Sequence, residues 1–332
     1  MKVVITGGAG FLGQLLIRAL CARGRLTDAT GEERQIEQIV AIDSGHTHRL
    51  FVDERVGYVV GDISVAALLK HVMATDTASV FHLAAVVSGA AEADFDLGMR
   101  VNLDGTRALL ETCRTQRAPV KAVFASSVAV FGGALPAVVT DDTATTPVSS
   151  YGVQKLIGEL LVGEFARKGY VDGRALRLPT IVVRPGKPNA AASSFASGII
   201  REPLAGAEAI CPVEPETALW LQSPQAAIDS LLRAHDLPLA RWREVCGGRA
   251  LNLPGLTVSV AQMIEALRVV GGEAAVQRIR FVPDARIRAI VQTWPARFDA
   301  ARANRLGFTA DADIQQVVRA YAATLTDGES AR

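Results

Sequence analysis

Short apolar runs alternate with helix-period segments through the first half of the chain. Residues 2–6 (KVVIT) predict a buried strand, because the apolar positions are consecutive and a glycine-rich turn follows at once. Residues 11–23 predict a helix that gathers Leu12, Leu15, Leu16, Ala19 and Leu20 on one face. The same reading gives strands at 35–42, 56–60, 78–83, 120–125 and 173–178, and helices at 65–74, 101–117 and about 150–168. The polar stretch 24–34 is long for a helix-to-strand connection and reads as a surface insertion.

Strand, helix, strand in repetition predicts an α/β fold: a Rossmann-type doubly wound parallel sheet with helices covering both faces. From about Pro179 the pattern breaks. Pro and Gly crowd residues 179–215, amphipathic helices are predicted at 224–235 and 260–270, and mixed helix and strand follow. The expected organisation is a Rossmann domain over 1–178, completed by segments from the C-terminal half, and a smaller mixed α/β substrate lid over 179–332.

In a doubly wound sheet, ligands sit beyond the carboxyl ends of the strands, where strand order reverses. Chemistry is therefore sought just after each strand. Thr6 to Gly13 (TGGAGFLG) follows the first one, with Gly7, Gly10 and Gly13 around Phe11 and Leu12. Glycines there allow a tight turn and close backbone approach to a pyrophosphate, which the N-terminus of the next helix attracts. Asp43 ends the second strand, where a carboxylate accepts hydrogen bonds from an adenosine ribose and repels a 2′-phosphate, favouring NAD over NADP. His46, His48 and Arg49 follow closely. Asp62 ends the third strand with a carboxylate suited to an adenine amino group, and small residues after His82 leave room for a cofactor along the sheet edge.

Ser126 and Ser127 end the fifth strand, and Tyr151 and Lys155 lie four apart at the start of the long helix, on one face. An ordinary tyrosine, near pKa 10, is a poor base at neutral pH. An adjacent ammonium and a cationic nicotinamide ring are expected to favour its phenolate. The chain has four tyrosines, and of these Tyr151 alone has such neighbours.

Charge and cysteines narrow the partners. Lys and Arg number 35 against 34 Asp and Glu, a net charge of +1, which gives no basic face for nucleic acid or an anionic membrane. No apolar run approaches the roughly 20 residues that span a bilayer. Cys21, Cys113, Cys211 and Cys246 are scattered without metal-ligand spacing, so reduced thiols, no metal and a cytoplasmic location are expected.

TGGAGFLG, the Asp43 strand end, GDI, HLAA, Asn102 in VNLDGT, SSVAVFG, YGVQK and an LRLP strand into the lid are spread over nearly the whole chain. With them the sequence resembles the extended short-chain dehydrogenases/reductases, which include nucleotide-sugar epimerases and dehydratases. The resemblance implies Tyr151 as acid/base, Lys155 on the nicotinamide ribose, and Ser127, five residues before Gly132, as the catalytic hydroxyl. It also implies that Ser126, Ile63, Leu83, Ala84, Ala85, Asn102 and Pro179 border the cofactor. In the family two long helices from each subunit form a dimeric bundle, so a homodimer is expected through the segments starting near Val101 and Ser150.

Two departures stand out. Phe131 replaces a usual tyrosine, a packing change, and Thr180 to Gly186 (TIVVRPG) replaces the run typical of nucleotide-sugar enzymes. Residues 84–106, 138–143 and 178–206 resemble instead the branch that oxidises a four-carbon sugar acid at C2 with NAD. A small acid needs a cation, for which Arg184 or Lys187 is available, and Ser88 is a candidate hydroxyl partner. The expected reaction is NAD-dependent oxidation of a small 2-hydroxy sugar acid to the 2-oxo acid. A nucleotide-sugar epimerase or dehydratase with retained NAD, and a non-catalytic NAD sensor, are the alternatives.

Overall fold

The computed structural model describes residues 1–45, 50–74, 77–186 and 191–329. His46, His48, Arg49 and Lys187 lie outside the described residues. Among the described residues, seven strands form one parallel sheet: β1 (Lys2–Thr6), β2 (Gln38–Asp43), β3 (Val56–Val60), β4 (Thr77–His82), β5 (Val120–Ser127), β6 (Val171–Leu178) and β7 (Leu251–Asn252). Their spatial order is β3-β2-β1-β4-β5-β6-β7. Order therefore reverses between β1 and β4, which makes the crevice above those two strands the place for a ligand.

Both faces of the sheet are covered, which is why its central strands read as unbroken apolar runs. Val3, Val4 and Ile5 of β1 are all fully buried. On one face, α1 (Phe11–Arg23) packs Leu16, Ile17 and Leu20 against β1, β2 and β4. On the other, α2 (Ala66–Val72), α3 (Gly105–Arg114) and α4 (Ser150–Arg167) contribute Leu69, Leu109, Val162 and Phe165 to a second core.

Two features depart most from the sequence reading. The polar insertion is an antiparallel hairpin, Arg25–Thr27 against Glu33–Gln35, so β2 begins at Gln38 instead of residue 35. The helix expected from residue 101 begins as a wider π-helical turn, Met99–Asp104, before α3. Beyond Leu178, β7 returns to complete the sheet edge beside β6.

The C-terminal half supplies α5 (Ser194–Leu204), α6 (Pro224–Asp236), α7 (Val260–Gly271), α8 (Ala285–Val291) and α9 (Ile314–Glu329). α6 docks on the Rossmann sheet beside α1: His235 Nε2 lies 2.8 Å from Ser79 Oγ, and Arg174 donates to the Ala234 carbonyl. The remainder builds a separate core from Phe195, Ile199, Leu219, Leu221, Met263 and Val318, around a three-stranded sheet of Thr180–Ile181, Ala218–Gln222 and Leu256–Ser259. The four cysteines are buried and unpaired. Among the described residues, no helix is long and apolar enough to cross a membrane.

Candidate active site

Above the carboxyl ends of β1 and β4 opens a cavity of about 820 Å³, walled on one side by the sheet and on the other by the C-terminal segments. Its floor is the glycine turn. Gly7 has φ of 72°, and a Cβ there would stand 2.8 Å from the Ala84 amide nitrogen. A Cβ on Gly13 would stand 2.3 Å from the Gly7 carbonyl oxygen, so α1 can start this close to the turn only without a side chain. A Cβ on Gly10 would meet only the Gly7 oxygen, at 3.2 Å. This cradle of bare backbone at a helix N-terminus fits a dinucleotide pyrophosphate.

Asp43 at the end of β2 accepts the Ala9 amide at 3.0 Å, which fixes its carboxylate against the glycine turn at the cavity wall. Asp62 also lines the cavity, accepting from the Ser64 amide at 2.8 Å and pairing with Arg100 at 3.3 Å. Burial works against its charge, but these partners outweigh that and hold its carboxyl below the usual range.

The wall after β4 is fixed by a chain of hydrogen bonds. Thr106 donates to the Asn102 carbonyl at 2.6 Å, and so accepts from His82 Nε2 at 2.8 Å. The bare Nδ1 of His82 then accepts from Thr6 Oγ1 at 2.6 Å, and Thr6 Oγ1 accepts the Ala84 amide at 3.2 Å. Burial, reinforced by the Lys155 charge, pushes His82 down to about 3, so the ring stays neutral. Asn102 does not line the cavity. Its side chain accepts from the Val86 amide at 2.7 Å and donates to the Val86 carbonyl at 3.0 Å and to Gln154 Oε1 at 2.7 Å, so it braces the cavity wall from behind.

Tyr151, Lys155 and Ser127 meet at the far end. Ser149 caps α4 by accepting the Gly152 amide at 3.2 Å, and Gly152 packs so closely on Ala129 that a Cβ would stand 2.2 Å from its carbonyl oxygen. That contact seats the first turn of α4 on the segment after β5. Lys155 Nζ donates to the Ala125 carbonyl at 2.8 Å and lies 4.7 Å from the Phe124 ring centre and 5.7 Å from that of Tyr151. Burial lowers it to about 7, against the opposing pull of Glu159. Burial raises the Tyr151 phenol to about 12, while Arg184 and Ser127 act to lower it. Arg184 thus adds a second cation near the phenol, beside the Lys155 ammonium. Ser126 also lines the cavity, but its hydroxyl turns away and donates to Glu159 at 2.5 Å.

Arg184 enters from the lid. It donates to Ser193 Oγ at 2.8 Å and to the Ile181 carbonyl at 3.2 Å, and makes no ion pair among the described residues. The cavity thus gathers Gly7, Gly10, Phe11, Leu12, Gly13, Asp43, Asp62, Ile63, Leu83, Ala84, Ala85, Ser88, Ser126, Ser127, Tyr151, Lys155, Pro179 and Arg184. It also exposes Glu92, Arg100, Ser193, Thr293 and Trp294, which the sequence did not single out. The last two follow α8 and carry no motif; only the folded lid brings them here.

The profile of the NAD dependent epimerase/dehydratase family matches residues 3–220. A D-erythronate dehydrogenase of Cupriavidus necator is 57% identical to the chain, covering 97% of it and 98% of the relative. A D-erythronate dehydrogenase of Haemophilus influenzae is 44% identical, with 97% and 98% covered. The solved structure of a nucleoside-diphosphate-sugar epimerase from Agrobacterium tumefaciens is 40% identical and superposes with a TM-score of 0.87, covering 96% of this chain and 92% of that one.

Proposed function

Since the chain belongs to the NAD-dependent epimerase/dehydratase family, we propose that it is a dehydrogenase that oxidises a small 2-hydroxy sugar acid at C2 to the 2-oxo acid, with D-erythronate as substrate and 2-oxo-tetronate as product. Two full-length relatives carrying that activity in their names support the substrate. The observation that carries the reading is Arg184, a guanidinium without an acidic partner among the described residues, in one cavity with Tyr151 and Ser127. Such a cation suits a substrate carboxylate.

Bound NAD would supply the hydride acceptor for C2. The glycine turn would hold its pyrophosphate, Asp43 its adenosine ribose, Asp62 and Ile63 its adenine end, and Lys155 its nicotinamide ribose. Tyr151 as phenolate takes the proton of the C2 hydroxyl, Ser127 holds that oxygen, and Arg184 orients the carboxylate. Ser88 takes a further substrate hydroxyl. Arg184 favours both the bound acid and the ionised tyrosine, so substrate binding and base formation draw on one group.

Residues 1–178, with α6 and β7, form the cofactor-binding domain on this reading, and the rest of 179–332 forms the lid. The protein acts as a homodimer and is cytoplasmic, a location its buried, unpaired thiols support. Val153 and Leu160 are one i, i+7 pair on α4 and are 41% and 66% exposed, and Phe95 close to the π-helical turn is 59% exposed. The exposed apolar pair on α4, one of the helices that pair in the family, supports the dimer.

The name of the Agrobacterium relative favours a second reading, a nucleotide-sugar epimerase that retains its cofactor. Stoichiometric release of NADH from D-erythronate and NAD is the result expected here. A protein that converts a nucleotide sugar and releases no NADH from any sugar acid would overturn the proposal.

A further inference from the structure

Glu159 lies one turn beyond Lys155 on α4, and both side chains are almost fully buried, at 6% and 3% exposure. A carboxylate in such a place needs partners, and it has several. Oε1 accepts from Ser126 Oγ at 2.5 Å, and Arg177 of β6 donates to Oε2 through Nη2 at 2.8 Å and to both oxygens through Nε. Arg177 in turn reaches Asn252 Oδ1 of β7 at 3.2 Å and lies 4.9 Å from the Phe131 ring centre. The pair therefore sits beneath the catalytic group: Ser126 adjoins Ser127, and Lys155 is bound to the carbonyl of Ala125 just before it.

We propose that Glu159, held by Arg177, is a positioning residue that keeps the Lys155 ammonium charged and directed for cofactor binding, and that it does so without touching cofactor or substrate. The inference rests on the reading of Lys155 as the residue that holds the nicotinamide ribose. Charged and titratable groups near Lys155 are Tyr151 and Glu159 on its own helix and His82 on β4, while Arg177 on β6 pairs with Glu159 and Arg184 from the lid acts on Tyr151. Of these, His82 stays neutral and Tyr151 stays protonated near neutrality. Burial is the largest influence working to discharge Lys155, and Glu159 is the carboxylate that opposes it. An ammonium stabilised by a carboxylate loses its proton at higher pH than it otherwise would. NAD affinity that depends on this ammonium therefore persists to higher pH in the wild-type protein.

The test is the NAD dissociation constant of the full chain measured across pH by fluorescence titration. Glu159→Gln keeps the size of the side chain and removes its charge; the alkaline loss of NAD affinity is expected to move down by about one pH unit, with affinity at acidic pH unchanged. Arg177→Gln leaves the carboxylate charge uncompensated, and the same loss is expected to move up. Lys155→Met serves as the reference, and should bind NAD weakly without that pH dependence. A loss present in the wild type, abolished in Lys155→Met and unmoved in both other variants overturns the role of Glu159 alone. Lys155→Met binding NAD as the wild type does would overturn the reading of Lys155 and the inference with it. Failure of both Glu159→Gln and Arg177→Gln to fold would make the pair a structural tie and overturn the proposal.

Discussion

A phenol raised to about 12 by burial is a weak source of phenolate at neutral pH, so neighbouring charge governs how fast Tyr151 can act. Oxidation needs the ionised form, and its rate should climb with pH toward the tyrosine pKa. Arg184→Met removes a charge that lowers that pKa, so the climb should move to higher pH, while KM for the sugar acid rises by about ten- to a hundredfold. Initial rates across pH at saturating NAD would read both effects. Tyr151→Phe should lower kcat by at least about a hundredfold and leave the NAD dissociation constant nearly unchanged, as stopped-flow and titration would measure. At this scale the sequence was informative where motifs are contiguous. The glycine turn and the Tyr151/Lys155 pair could be read directly from spacing, because helix geometry fixes which residues share a face. Asn102 could not: only the fold reveals that its side chain is spent on the Val86 backbone. Trp294 and Ser193 were illegible for a related reason, since their contact with the cavity depends on how the lid closes over the sheet.

At the scale of elements, close approach between the turn and α1 separates two glycines that look alike in sequence. Gly13→Ala would force its Cβ to 2.3 Å from the Gly7 oxygen, and should destabilise the protein by about 1–3 kcal/mol, seen as a lower Tm in thermal denaturation. Gly10→Ala meets that oxygen only at 3.2 Å, so its main effect should be weaker NAD binding with Tm largely kept. The central strands and long helices were legible because their periodicities are local and strong; α1 spans Phe11–Arg23 and α4 begins at Ser150, as the apolar spacing indicated. The hairpin inside the polar insertion was not, since its strands are three residues each and too short to show a period. Nor was β7, two residues long and identifiable only by its partner β6.

For the whole molecule, the apolar face on α4 makes a separate prediction. Leu160→Arg, at a position 66% exposed, should convert a dimer to a monomer in sedimentation velocity with the fold retained in far-UV circular dichroism. The route of the chain through the sheet carries a further consequence. β6 has its outer neighbour, β7, only after some seventy intervening residues have been made, and α6, which covers one sheet face, is among them. A ribosome that has released the chain as far as Leu178 has produced a sheet with an open edge and a bare apolar flank, the features that invite wrong pairing. The nascent protein therefore passes through a period of exposure that ends only when Asn252 emerges. A stop codon or a stalled ribosome before that point would yield an aggregation-prone fragment instead of a small working domain.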